Sequence, residues 1–247
     1  MRQSNAGTVR LLGPLHVEKA GQAVSVPGGK AASLFALLCL QNNRAYAREL
    51  LIERLWPEYA PAAARRALSD SLYRLRNSAV GEWLQVSGEQ IGLVDQERLW
   101  IDVPLFEAYA DRPEDAALAL DLYRGDLLEG MFDDWLLAPR YALRERYLDL
   151  LHQVATYSAA GGNFVAARQT FKRLLAEDPL DERAYVGQMQ ALAQEGRPGE
   201  ALAVYARLVA VMEEEFGVEP GPEGRQLAAR LRAEQRFVPK ADSHSSY

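Results

Sequence analysis

The chain holds a single cysteine in 247 residues, three histidines and no long apolar run. One thiol cannot close an internal disulfide, so Cys39, inside LFALLCL, is expected to act as a small buried apolar residue. No run approaches the ~18 apolar residues that a membrane helix needs, and the opening MRQSNAGTVR lacks the apolar centre of a secretory signal. A cytoplasmic protein without a membrane partner is therefore expected. His16, His152 and His244 lie in three distant segments, which excludes ordinary metal-ligand spacing. Pro27-Gly28-Gly29-Lys30 lacks the first glycine and the trailing Ser/Thr of a phosphate loop and reads as a turn before a helix. The acidic clusters Asp133-Asp134 and 213–215 have no paired histidine or nucleophile for acid–base work. Neither an enzymatic activity nor a cofactor is expected.

What is present is an ordinary globular composition, 49% apolar and 25% charged, long enough for one large domain or two small ones. The charge is divided unevenly. Residues 1–100 carry 12 Lys+Arg against 9 Asp+Glu, and residues 101–247 carry 16 against 25. A mildly basic half joined to a strongly acidic one is the pattern of a DNA reader fused to a protein-binding module.

Residues 9–26 predict short strands: Val9 and Leu11, Leu15 and Val17, then Val24 and Val26 alternate with other residues. Gly13-Pro14 and residues 19–21 supply the turns. A helix over 30–41 is apolar nearly all round, hence central to the first core, and Asn42-Asn43 ends it. The next helix, over 47–56, turns Leu50, Leu51, Leu55 and Trp56 inward and stops at Pro57. Pro61 opens the third helix, where its missing N–H costs nothing. Along that helix Leu68, Leu72, Leu75 and Ala79 recur at spacings of four, three and four, which keeps them on one face. At about 100° per residue, Arg66, Asp70, Tyr73 and Asn77 lie opposite, with Arg74 beside them. Arg65 and Arg76 complete a set of four arginines against one aspartate over 65–76. Such a face suits a DNA major groove, offering guanidinium donors for guanine and phosphate, a carboxylate acceptor for cytosine and a flat ring for apolar contact. Residues 83–94 read as a hairpin, with Leu84 and Val86 facing Ile91 and Leu93. Strands, three helices and a hairpin make an α+β winged helix-turn-helix domain over 1–100, with the third helix as reader and the hairpin as wing.

From Pro104 the texture is helical, and a repeat emerges. A shift of 34 residues sets Gly162 on Gly196, Ala167 on Ala201, Phe171 on Tyr205 and Leu174 on Leu208. Glycine between helices and an aromatic four residues after alanine, at that period, is the tetratricopeptide signature. Since about three units are needed for a continuous core, helices over 116–123 and 141–153 are expected to form a degenerate further unit, with a loop of short helical turns over 125–139 between them. The expected fold is mainly α: the winged helix over 1–100, an all-α tetratricopeptide-like domain over 101–235 and a disordered tail over 236–247.

The order of these parts resembles the SARP/AfsR-type bacterial transcriptional activators, in which an OmpR-like winged helix precedes a bacterial transcriptional activator domain of tetratricopeptide repeats. VRLLGPLHV, RELLIERLWPE, ARRALSDSLYRLR, DVPLFEAYA and GRPGEALAVYARLVAVMEEEFGVEPGPEGRQL carry the resemblance over about 9–235, most specifically through FGVEPGPE. Larger members add a nucleotide-binding domain, so this chain resembles the minimal form. The resemblance implies a sequence-specific activator that reads direct repeats in double-stranded DNA as a dimer or side-by-side assembly. It puts Arg66, Asp70, Tyr73 and Arg74 in the groove, with Arg76 toward phosphate. It also implies RNA polymerase contact by the loop between the second and third helices, here through Glu58 and Tyr59. The wing departs from the family pattern: Ser87-Gly88-Glu89-Gln90-Ile91 sets a carboxylate at the tip, where relatives carry Arg or Lys and where it would repel phosphate. The rival reading is a tetratricopeptide interaction scaffold whose winged helix no longer binds DNA.

Overall fold

The computed structural model describes residues 7–40, 45–94 and 99–237. They form two compact units, divided between Arg146 and Tyr147. The first opens with β1 (Gly7–Arg10), β2 (His16–Lys19) and β3 (Gln22–Ala23), followed by α1 (Lys30–Leu40). The third strand lies just ahead of the predicted Val24–Val26 pair, because the register Glu18↔Ala23 and Lys19↔Gln22 leaves a two-residue turn at Ala20-Gly21. α1 is buried at Ala31, Ser33 and every residue from Leu34 to Cys39, as its all-round apolarity requires; burial holds the Cys39 thiol well above the usual thiol range. Its expected stop at Asn42-Asn43 lies outside the described residues.

β4 (Tyr46–Ala47), α2 (Arg48–Leu55) and α3 (Pro61–Arg76) come next, then a 3₁₀ turn at Gly81–Trp83 and the hairpin β5 (Leu84–Ser87) and β6 (Gln90–Leu93). β4 adds to β6, giving a three-stranded wing sheet in the order β4-β6-β5. Leu51, Leu55 and Trp56 are buried as expected, but Leu50 is 37% exposed, a correction to the predicted inward set. With α2 only eight residues long, Leu51 and Leu55 fill the space beneath it, and Leu50, about 100° round the helix from Leu51, turns toward solvent.

β7 (Leu99–Ile101) then pairs in parallel with β1, closing a sheet ordered β3-β2-β1-β7. α4 (Asp102–Ala110) starts at once, and its first residue is the fastening of the unit. The Asp102 carboxylate, 2% exposed, accepts from the N–H of Leu11 at 2.8 and 2.9 Å and of Leu12 at 2.9 Å. These amides follow the end of β1 and would otherwise be buried without partners. Burial pushes the Asp102 carboxyl up, and the backbone N–H bonds pull it partly back.

α5 (Ala116–Leu122) packs against α4, so the helix predicted over 116–123 is present with a neighbour that the repeat pattern does not show. Part of the stretch expected to be a loop over 125–139 is tied down. Leu128 donates to the Leu11 carbonyl at 2.7 Å and Glu129 to that of Gly13 at 3.0 Å. Arg140 donates to the carbonyls of Leu127, Leu128 and Met131 at 2.9–3.1 Å. A 3₁₀ turn at Asp134–Leu136 leads into α6 (Leu137–Ala160), longer at both ends than the predicted 141–153. Pro139 is accommodated because the first turn of a helix has no use for its N–H.

The second unit contains the end of α6 with α7 (Phe164–Glu177), α8 (Glu182–Gln194), α9 (Pro198–Phe216) and α10 (Pro222–Phe237). The 34-residue period holds bond for bond. Gly161, Gly162 and Asn163 donate their N–H groups to the carbonyls of Tyr157, Ala159 and Ser158; Glu195, Gly196 and Arg197 donate to those of Ala191, Ala193 and Leu192. Gly162 (φ 78°) and Gly196 (φ 74°) take the left-handed conformation that each turn requires. Ala167, Ala201, Phe171, Tyr205, Leu174 and Leu208 are all buried. FGVEPGPE is the joint that ends the array: Gly217 closes α9 in the left-handed conformation, the Gly221 N–H donates to Glu182 Oε1 at 2.6 Å, and Pro222 opens α10. α10 runs to Phe237, two residues into the expected tail; the remainder lies outside the described residues. No helix among the described residues is long and apolar enough to cross a membrane.

Candidate nucleic-acid interface

α3 presents one buried and one exposed face. Ala64, Leu68, Ser71, Leu72 and Leu75 are buried against the first core. Arg65, Arg66, Asp70, Tyr73, Arg74, Arg76 and Asn77 are all exposed, Tyr73 by 71%. Pro61 begins the helix after Ala60, whose extended backbone directs the chain into it. The helix ends at Arg76, which removes Ala79 from the predicted apolar stripe; it is half-buried in the turn beyond. Asn77 is the closing residue, and both its N–H and its Nδ2 donate to the Tyr73 carbonyl, at 3.1 and 2.8 Å. Its amide is engaged with the helix end, where an unpaired carbonyl needs a donor.

The arginines of α3 differ from most others in the chain. Among the described residues, Arg65, Arg66, Arg74 and Arg76 hold no carboxylate within 4.0 Å, although Asp70 stands four residues from both Arg66 and Arg74. By contrast, Arg112, Arg144, Arg146, Arg168 and Arg197 are each in an ion pair. Four exposed, uncompensated guanidiniums on one face create a positive field on a chain of net charge −6.

The wing forms in the predicted register, Leu84↔Leu93 and Val86↔Ile91, and Gly88 (φ 59°) makes its tip. The Glu89 carboxylate at that tip stands 4.0 Å from the Nε of Arg48, in the first turn of α2. Arg48 has no sequence signal of its own; the pairing of β4 with β6 brings it to the wing. The loop between α2 and α3 leaves Glu58 exposed and Tyr59 55% exposed, with Trp56 buried beneath. Among the described residues no group of His, Cys, Asp and Glu could hold a metal ion; His244 lies outside them.

A winged helix-turn-helix with an arginine-rich third helix, continued by a tetratricopeptide-type array, defines the class of protein. The sequence model of the bacterial transcriptional activator domain matches residues 104–232, more than half of the chain, and the chain belongs to that family. This agrees with the SARP/AfsR-type resemblance read from the sequence. Regulatory protein AfsR of Streptomyces griseus is 29% identical over 246 residues, 94% of this chain and 25% of that protein. The chain thus spans about a quarter of the length of that relative. Regulatory protein DnrI of Streptomyces peucetius is 26% identical, with 95% of this chain and 92% of DnrI aligned. The solved structure of Mycobacterium tuberculosis EmbR in complex with a low-affinity phosphopeptide superposes with a TM-score of 0.70 at 24% identity, over 93% of this chain and 65% of that one, which shows the shared fold.

Proposed function

We propose that the protein is a sequence-specific DNA-binding transcriptional activator. Residues 1–100 read double-stranded promoter DNA through α3 in the major groove, and residues 101–235 mediate contacts with other copies and with other proteins. The observation that carries this reading is the set of four exposed arginines on α3 without acidic partners. Arg65, Arg66, Arg74 and Arg76 supply phosphate and guanine donors, while Asp70 and Tyr73 offer a cytosine acceptor and a flat apolar contact. Copies bind side by side on direct repeats, about one duplex turn apart. Titration of random duplex DNA at a series of salt concentrations tests the reading. Binding is expected to weaken steeply, with a log–log slope equivalent to several neutralised phosphates per subunit. Salt-independent binding, or none at low salt, would leave the protein as a tetratricopeptide interaction scaffold.

The loop between α2 and α3 is the proposed RNA polymerase contact. Glu58 and Tyr59 are exposed between Pro57 and Pro61, whose fixed φ angles restrict the loop, and neither has a core role. Glu58→Lys combined with Tyr59→Ala is expected to keep wild-type DNA affinity and lose most activation in a purified polymerase assay. Full activation by that variant would move the contact to another surface.

A further inference from the structure

The acidic wing tip is engaged with the protein's own basic surface. Three contacts join it to Arg48: the Arg48 N–H donates to the Glu89 carbonyl at 3.0 Å, its Nε donates to the Gly88 carbonyl at 3.4 Å, and the same Nε lies 4.0 Å from Glu89 Oε2. Arg48, Arg65, Ser69 and Glu89 line one groove of about 540 Å³ between the first turn of α2, the first half of α3 and the wing tip. Of the arginines on this face, Arg48 has a carboxylate within 4.0 Å, whereas the four on α3 have none among the described residues.

A guanidinium takes a carboxylate or a phosphate oxygen with the same donor geometry. We propose that Glu89 is an intramolecular phosphate surrogate: it occupies Arg48 in the free protein and gives it up when duplex DNA enters the groove. The wing tip thereby sets the strength of non-specific binding. This rests on the reading of α3 as the DNA-contacting helix. Two physical effects act together. The Glu89 side chain is 73% exposed and its ion pair is long, so displacing it requires little. Until it is displaced, its charge lies within a Debye length, ~10 Å, of any phosphate that approaches Arg65 or Arg48. The proposal also explains how a family whose wings carry basic tips can tolerate Glu89 here: the carboxylate has a cation to hold.

The test is a double-mutant cycle on the full chain, using random duplex DNA in a salt series, with melting curves to confirm folding. Glu89→Gln keeps the shape of the tip, removes the charge and releases Arg48. It is expected to raise affinity about three- to tenfold near 0.1 M salt and to steepen the log–log slope by about 0.9, one further neutralised phosphate. In an Arg48→Ala background, the same substitution should leave the slope unchanged and recover only a small part of the gain. Wild-type affinity in Glu89→Gln would overturn the proposal. So would an equal gain with and without Arg48, since simple repulsion would then suffice. Absence of duplex binding by every variant at low salt would overturn the α3 reading itself, and this proposal with it.

Discussion

Asp102→Ala is expected to destabilise the first compact unit by about 2–5 kcal/mol. The carboxylate is the acceptor for the N–H groups of Leu11 and Leu12, both buried, and its removal leaves two amides without partners at roughly 1–3 kcal/mol each. Urea unfolding followed by tryptophan fluorescence measures the loss. Asp102→Asn retains one carbonyl oxygen as acceptor and should be milder. The pH dependence has a definite sign. Burial raises the folded-state carboxyl above its unfolded value. The group's favourable contribution is therefore complete below the unfolded value and declines as pH rises through the folded one. The stability advantage of the wild type over Asp102→Asn should accordingly narrow with increasing pH across that window. An advantage that grows with pH would mean that the backbone bonds to the carboxylate outweigh its desolvation.

Arg66→Ala and Arg74→Ala are each expected to weaken duplex binding by about 1–3 kcal/mol, five- to more than a hundredfold. Both side chains are exposed and directed away from the stripe of Leu68, Leu72 and Leu75, so the melting temperature should hardly move. The two losses carry different information. A residue on phosphate weakens binding to all sequences alike and lowers the salt slope by about one, whereas a residue on a guanine edge relaxes preference at one base pair. Titrating promoter and random duplexes with each variant separates these roles. Wild-type affinity in both variants would exclude α3 as the reader.

The Asp102 bonds also explain why the chain divides where it does. A composition shift and the start of the helical texture mark residues 100–104, and the family match begins at 104. The compact unit continues to Arg146. β7 enters the sheet of the winged helix, Asp102 ties α4 to the end of β1, and Lys30 and Ser33 of α1 both bond Asp133 at 2.6 Å. DNA-facing and helical segments therefore share a core in the first unit, so a substitution at Asp102 or Asp133 acts on the geometry of both.

Whatever depended on short-range periodicity was legible in the amino-acid sequence alone. The all-round apolarity of 30–40 specified a central helix. The spacing of Leu68, Leu72 and Leu75 divided α3 into a buried and an arginine-bearing face. The alternation in 84–93 set the register of the wing, and the 34-residue period fixed even the hydrogen bonds of two turns. Each of these patterns is written within one or two helical or strand repeats, where backbone geometry alone relates neighbouring side chains. Tertiary structure decided the rest. β4 and β7 are two and three residues long, too short for any alternation to register, and they exist because another strand offers an edge. Leu50 was left outside because Leu51 and Leu55 took the space below α2. Asp102 meets its partners across about 90 residues of chain, and Glu89 meets Arg48 across some forty. A carboxylate in the sequence carries no mark of which amide or guanidinium it will meet; only the closure of the sheet and the return of the wing bring those groups within bonding distance.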